Sequence, residues 1–165
     1  MLNNVRLLLL GLWLGAAIFF SGAVAPGAFK VLRAFNLPNA TEIAGTIVSR
    51  TLAIINTSGF IISVLLLISA LLLRKLWPRY SFILQIALLS IVAAATGIGE
   101  WMIAAQMRVL RAGFNGPIDQ VPATDAGRIA FDALHGYSVT ALSLGVLAGL
   151  VAFFVMSKRL KLKQE

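Results

Sequence analysis

The sequence predicts an all-α integral membrane protein, a bundle of four transmembrane helices forming one domain over residues 1–165, and three observations carry that prediction. Hydrophobic residues make up 59% of the 165-residue chain and its mean hydropathy is +0.92, above what a soluble domain of this size carries. Four apolar stretches, at about 7–27, 52–74, 81–105 and 136–157, each approach the ~20 residues that an α-helix needs to cross ~30 Å of hydrocarbon. The 14 Lys and Arg residues flank these stretches instead of lining a polar stripe. The net charge of +8 therefore points to anionic membrane lipids as counterions and away from nucleic acid.

The first span follows Arg6 and ends near Pro26. Arg6, the apolar run and Ala23-Val24-Ala25 have the outline of a signal peptide, but the run is longer than a usual h-region and Pro26 would hinder cleavage, so the expectation is an uncleaved helix. The second span follows Asn39-Ala40-Thr41-Glu42, whose spacing predicts a capping box and hence a helix starting well before the membrane. Leu76-Trp77-Pro78-Arg79 leaves room only for a tight connection, so the second and third spans are expected to be antiparallel neighbours. The third helix is expected to run through Gln106, Arg108 and Arg111 to Gly113. Thr124-Asp125 is a start signal for the fourth, after a loop holding Gly116, Pro117 and Pro122.

Charge asymmetry predicts the orientation. Arg6, Arg74, Lys75, Arg79, Lys158, Arg159, Lys161 and Lys163 lie at one side, opposed only by Glu165. Lys30, Arg33, Arg50, Arg108, Arg111 and Arg128 lie at the other, nearly balanced by Glu42, Glu100, Asp119, Asp125 and Asp132. The first side is expected to be cytoplasmic, with both termini in, and the expected location is a bacterial plasma (inner) membrane. Trp77 and Tyr80 suit one interface, Trp101 and Tyr137 the other. Gly11 and Gly15, and Ala141, Gly145 and Gly149, are spaced for close helix packing; Gly11 and Gly15 are candidate contacts of a homodimer.

Counting along each span brings Lys30, Arg50, Glu100 and His135 to similar depth near the outer boundary of the hydrocarbon. Arg128, Asp132 and His135 share one face of the fourth helix by their four-then-three spacing, as do Pro26, Lys30 and Arg33 on the first. Such groups are costly against lipid. The expectation is therefore an outward-opening polar pocket for a small polar or anionic ligand, formed by Lys30, Arg50, Glu100, Asp132 and His135 with Arg128 adding charge. A purely structural charge network is the competing reading.

No catalytic residue is assigned, because no P-loop, GxGxxG, HExxH or Gly-x-Ser-x-Gly motif occurs. An enzymatic role is left open but second to binding. The absence of cysteine excludes disulfides, thiolate metal sites and cysteine nucleophiles. His135 is a weak metal candidate, and Met102 and Met107 could add thioethers for copper(I); the expectation is no metal and no cofactor. The sequon Asn56-Thr57-Ser58 lies within a span and cannot be glycosylated; Asn39-Ala40-Thr41 matters only in a secretory pathway.

Leu12-Trp13-Leu14-Gly15 through Phe19-Phe20 to Ala25-Pro26 and Phe29, together with Phe131-Asp132-Ala133-Leu134-His135-Gly136-Tyr137-Ser138, resemble the transmembrane protein 205-like family, also known as domain of unknown function 4149. The resemblance implies a four-helix membrane protein without an established biochemical activity, with a transport-associated role as one reading. More remotely, the first helix is similar to those of copper-resistance protein D and of haem-dependent membrane protoporphyrinogen oxidases. That similarity implies haem b or copper chemistry as an alternative, but those proteins use further polar residues in their spans that this first helix lacks. An assembly subunit of a membrane complex is a third reading.

Overall fold

A computed structural model describes residues 2–37 and 39–161. Lys163 and Glu165, which enter the charge count above, lie outside the described residues. Four long helices account for nearly all of the fold: α1 (Leu2–Ala34), α2 (Ala40–Leu72), α3 (Arg79–Ala112) and α4 (Ala126–Lys161). Each has an apolar window long enough to cross a membrane, and among the described residues there is no strand. At 1.5 Å per residue these helices are about 50 Å long, well beyond the ~30 Å of hydrocarbon, so they project past it as the capping signals predict.

Burial identifies their solvent. Only 28–33% of each most apolar window is buried inside the bundle, and residues such as Leu72, Ile54 and Phe19 are largely exposed. A water-soluble bundle would cover those side chains, whereas lipid accepts them. The chain is accordingly an integral membrane protein.

The helices alternate in direction. The Arg6 guanidinium near the start of α1 reaches Leu66 near the end of α2 and Gln85 near the start of α3, and the Asn3 amide reaches the Met156 carbonyl late in α4. Both ends of the described chain therefore lie at one end of the bundle, called here the terminal end; the other is the far end. Around the bundle α1 packs against α2 and α4, and α3 packs against the same two helices from the opposite side.

Lipid supplies no hydrophobic drive between helices, so close approach must. The Trp13 ring fills a slot at mid-height, where a Cβ on Gly59 would come within 2.5 Å of the indole and one on Gly149 within 3.1 Å. The indole N–H donates to the Ile55 carbonyl at 3.0 Å, so its one polar group is satisfied. Gly11 faces Phe153 and Gly145 faces Ala95, so the predicted packing role holds for them; nothing lies near a Cβ placed at Gly15.

Two helices contain a π-helical turn, Phe20–Val24 in α1 and Ile98–Ala104 in α3. The first has a local cause. Pro26 has no N–H for the Gly22 carbonyl and its ring would crowd that oxygen, and the wider turn, closed by the Ala25 N–H on the Phe20 carbonyl, relieves both.

The helix starts match the sequence unevenly. The Asp125 carboxylate accepts the Arg128 backbone N–H at 3.0 Å and caps α4. The capping box at α2 does not form. Asn39 is at the N-cap without a side-chain bond, and the Glu42 carboxylate, the other half of the box, is drawn away to a guanidinium on another helix.

Candidate functional site

The far half of the bundle holds the polar groups that lie closest to a site. Glu100 sits in the π-helical turn of α3 and is only 8% exposed. One carboxylate oxygen accepts a hydrogen bond from Arg108 at 3.2 Å, while the other, Oε2, is buried with no partner among the described residues. Arg108 lies eight residues on and its side chain is mostly exposed, so it reaches inward from the rim. Asn56 of α2, itself buried, packs beside Gly99, where a Cβ would come within 3.2 Å of its amide nitrogen. Thr96, one turn deeper, donates to the Val92 carbonyl, and Ser138 of α4 is buried as well. A buried carboxylate with one free oxygen is therefore set in a polar layer between α2 and α3. A widened turn makes such a layer possible, because it turns its side chains off the regular helical stripe.

Two further ion pairs close the far end. The Arg111 guanidinium grips Glu42 with two nitrogens, at 2.6 and 2.9 Å, joining α3 to the start of α2, and the Ile118 N–H adds a weaker bond at 3.5 Å. Arg128 pairs with Asp132 at 3.0 Å one turn along α4 and also donates to the Ile118 carbonyl. Ile118 itself is buried, so the 3–10 turn Ile118–Gln120 is stapled onto two helices, α2 through Glu42 and α4 through Arg128. The loop before it turns at Gly116, whose φ of 116° is open to glycine. These pairs are structural latches. Arg128 and Asp132, expected in the pocket, are largely engaged in them.

The remaining expected residues fall at three levels. The contacts of Trp13 with Ile55 and Gly59, of Gly59 with Thr96 and of Gly145 with Ala95 fix the register. At 1.5 Å per residue, Arg50 and His135 then lie at a common level about 9 Å beyond Asn56 and Glu100, and Lys30 about 15 Å farther out. Lys30, Arg50 and His135 are exposed, and among the described residues none of the three makes a side-chain hydrogen bond or ion pair. Nor do any three His, Asp or Glu side chains among the described residues converge as metal ligands.

The terminal end holds a polar group that the sequence did not single out. Arg6 is 2% exposed. Its Nη2 donates to the Gln85 Oε1 at 3.2 Å and, more weakly, to the Leu66 carbonyl at 3.5 Å, and the guanidinium lies 5.3 Å from the centre of the Trp77 ring. Among the described residues its Nε and Nη1 and the Gln85 Nε2 are buried without acceptors. A cation before an apolar run ordinarily reads as a snorkelling flank, and only its partners on α3 and in the 2–3 connection mark it as a core residue.

Against this geometry the comparisons give a family. The family described as a domain of unknown function (DUF4149) matches residues 8–113, which is more than half of the chain, and the chain belongs to it. The match includes the first-helix motif and ends before the Phe131–Ser138 element. No curated protein and no solved structure matches the chain.

Proposed function

For this member of a family with no assigned activity, we propose a small membrane protein that binds, and helps to move, a polar or anionic solute or lipid headgroup at the far end of its bundle. The observation that carries the reading is Glu100, a buried carboxylate whose Oε2 has no partner, in a π-helical turn. An intramembrane carboxylate is costly unless it serves a ligand, a proton or a partner, and Arg108 occupies only one of its oxygens. About 9 Å farther out along the bundle, Arg50, with no side-chain partner among the described residues, offers a cation to an anionic group. A solute with a negative end toward Arg50 and a donor toward Glu100 satisfies both. Phosphoethanolamine has that pattern without acyl chains. His135 borders the same level and Lys30 attracts anions from farther out, with Arg128 and Asp132 holding the rim in shape.

The same proposal includes a homodimer, with the contact on Gly15, whose surroundings are open, because Gly11 is already covered by Phe153. Cysteine-free background makes Gly15→Cys cross-linking in native membranes a direct test, with a monomer-only result counting against the dimer.

The binding test is a thermal-stability titration of detergent-purified protein with phosphoethanolamine. Stabilisation is expected for the wild type, shifted to about tenfold higher concentration or more in Arg50→Gln and Glu100→Gln, as for the loss of a charged hydrogen bond. No stabilisation of the wild type, or an equal response in all three proteins, would overturn the reading.

A further inference from the structure

The terminal end carries an uncompensated charge, and this concerns a different surface from the far-end reading and does not depend on it. Among the described residues all Asp and Glu side chains (Glu42, Glu100, Asp119, Asp125 and Asp132) belong to the far half, and all three ion pairs are there. Arg6, by contrast, is buried with a neutral amide, a backbone carbonyl and the Trp77 ring as its partners, and two of its three guanidinium nitrogens have no acceptor. A buried cation without a counter-charge is a large cost that proteins normally offset with a nearby anion.

The other surroundings of Trp77 show where that anion would sit. A surface depression there is lined by Arg74, Trp77, Arg79, Phe82 and Ile83. Two of its walls are guanidinium groups, both exposed, and Arg74 lies 5.7 Å from the centre of the Phe82 ring. The rest of the lining is apolar and runs onto Ile83, which is 55% exposed and belongs to the lipid-facing surface of α3. A site that is cationic at one edge and continuous with lipid-facing side chains at the other has the two chemistries of a phospholipid.

We propose that the depression between Arg74 and Arg79 binds the phosphate of an anionic phospholipid, with an acyl chain along Phe82 and Ile83. Arg74 and Arg79 supply the direct charged hydrogen bonds. Arg6, behind Trp77, adds its unneutralised charge to the same spot and holds the indole that forms the wall. The lipid in turn balances the charge of Arg6. The 3–10 turn Arg74–Leu76 and Pro78 make the 2–3 connection short, which fixes the two arginines relative to each other.

The test is lipid binding by full-length protein in neutral detergent, read by native mass spectrometry and by thermal stability, with phosphatidylglycerol, phosphatidylcholine and inorganic phosphate as probes. Phosphatidylglycerol is expected to remain bound and to stabilise the wild type, phosphatidylcholine to do neither. Arg74→Gln/Arg79→Gln, two exposed substitutions that leave the core intact, is expected to weaken phosphatidylglycerol binding by about tenfold or more. Lys75→Gln/Lys158→Gln removes the same charge from the same end but leaves the depression whole, and is expected to bind as the wild type does. Equal binding of the two lipids, or equal losses in the two double variants, would show diffuse attraction and overturn the site. Stabilisation by inorganic phosphate equal to that by the lipid would overturn the assignment to phospholipid.

Discussion

Glu100 and Gly59 show how single residues bear on the fold and the site in opposite ways. Gly59 is required by space: an added Cβ would lie 2.5 Å from the Trp13 indole and 2.9 Å from Thr96, and neither neighbour can retreat from a packed bundle. Gly59→Ala is expected to destabilise the protein by about 1–3 kcal/mol, as overpacking does, while Gly45→Ala, with open space around it, is neutral or stabilises by up to about 1 kcal/mol, alanine being the better helix former. Unfolding of both variants in mixed micelles, compared with the wild type, checks the pair. The sequence marked Gly15 as a packing residue and passed over Gly59, because a GxxxG spacing shows that backbones can approach but not which face has a tryptophan opposite it. Glu100 was legible, since an acid at the end of an apolar span stands out. Its burial with one free oxygen was not, because that depends on the π-helical turn and on Asn56 across the interface. Arg6 entered only as a flanking charge for a similar reason: its partners come from elements distant in the chain.

The four spans were legible as elements, since bilayer thickness sets a length that apolar runs must meet. The far-end extensions were legible too, through Asp125 and through the polar stretch to Gly113. What sequence could not give is the choice between local and long-range partners for Glu42. A capping bond offers the Glu42 carboxylate one neutral backbone N–H, whereas Arg111 offers a cationic, two-nitrogen contact joining α2 to α3. Glu42→Gln is therefore expected to cost about 1 kcal/mol or more, and Asp132→Asn, which breaks a single i,i+4 pair with a mostly exposed acid, about 0.3–0.5 kcal/mol. A reversed ranking in the same unfolding assay would contradict the latch described for the far end. The π-helical turn in α1 has its own test. With Pro26→Ala the Gly22 carbonyl regains a donor and the bulge loses its cause; reversion to α-helix would turn the outer part of α1 by about 100° relative to its first half. Cysteines placed along Phe29–Arg33 and on α2 should then change their cross-linking partners, whereas an unchanged pattern would mean that packing, not Pro26, holds the bulge.

At the scale of the whole molecule the two ends differ in kind. The far end is a rim of ion pairs above a buried carboxylate, and the terminal end is a cationic surface with a buried arginine and no described acid. That asymmetry was legible from charge counting, whereas the pocket drawn from depth alone placed Lys30, Arg50, Glu100 and His135 together when the register spreads them over about 25 Å. Counting from each span's edge treats helices as equal and straight; the π-helical turns and the differing contact points make them neither. Both proposed sites take their meaning from a bilayer lying between the two ends. Single-cysteine labelling in sealed vesicles tests this most directly, because the chain has no cysteine of its own. Lys75→Cys and Lys158→Cys are expected to react with an impermeant maleimide from one side, and Asp119→Cys only from the other; reaction of Asp119→Cys and Lys75→Cys from the same side would contradict the account.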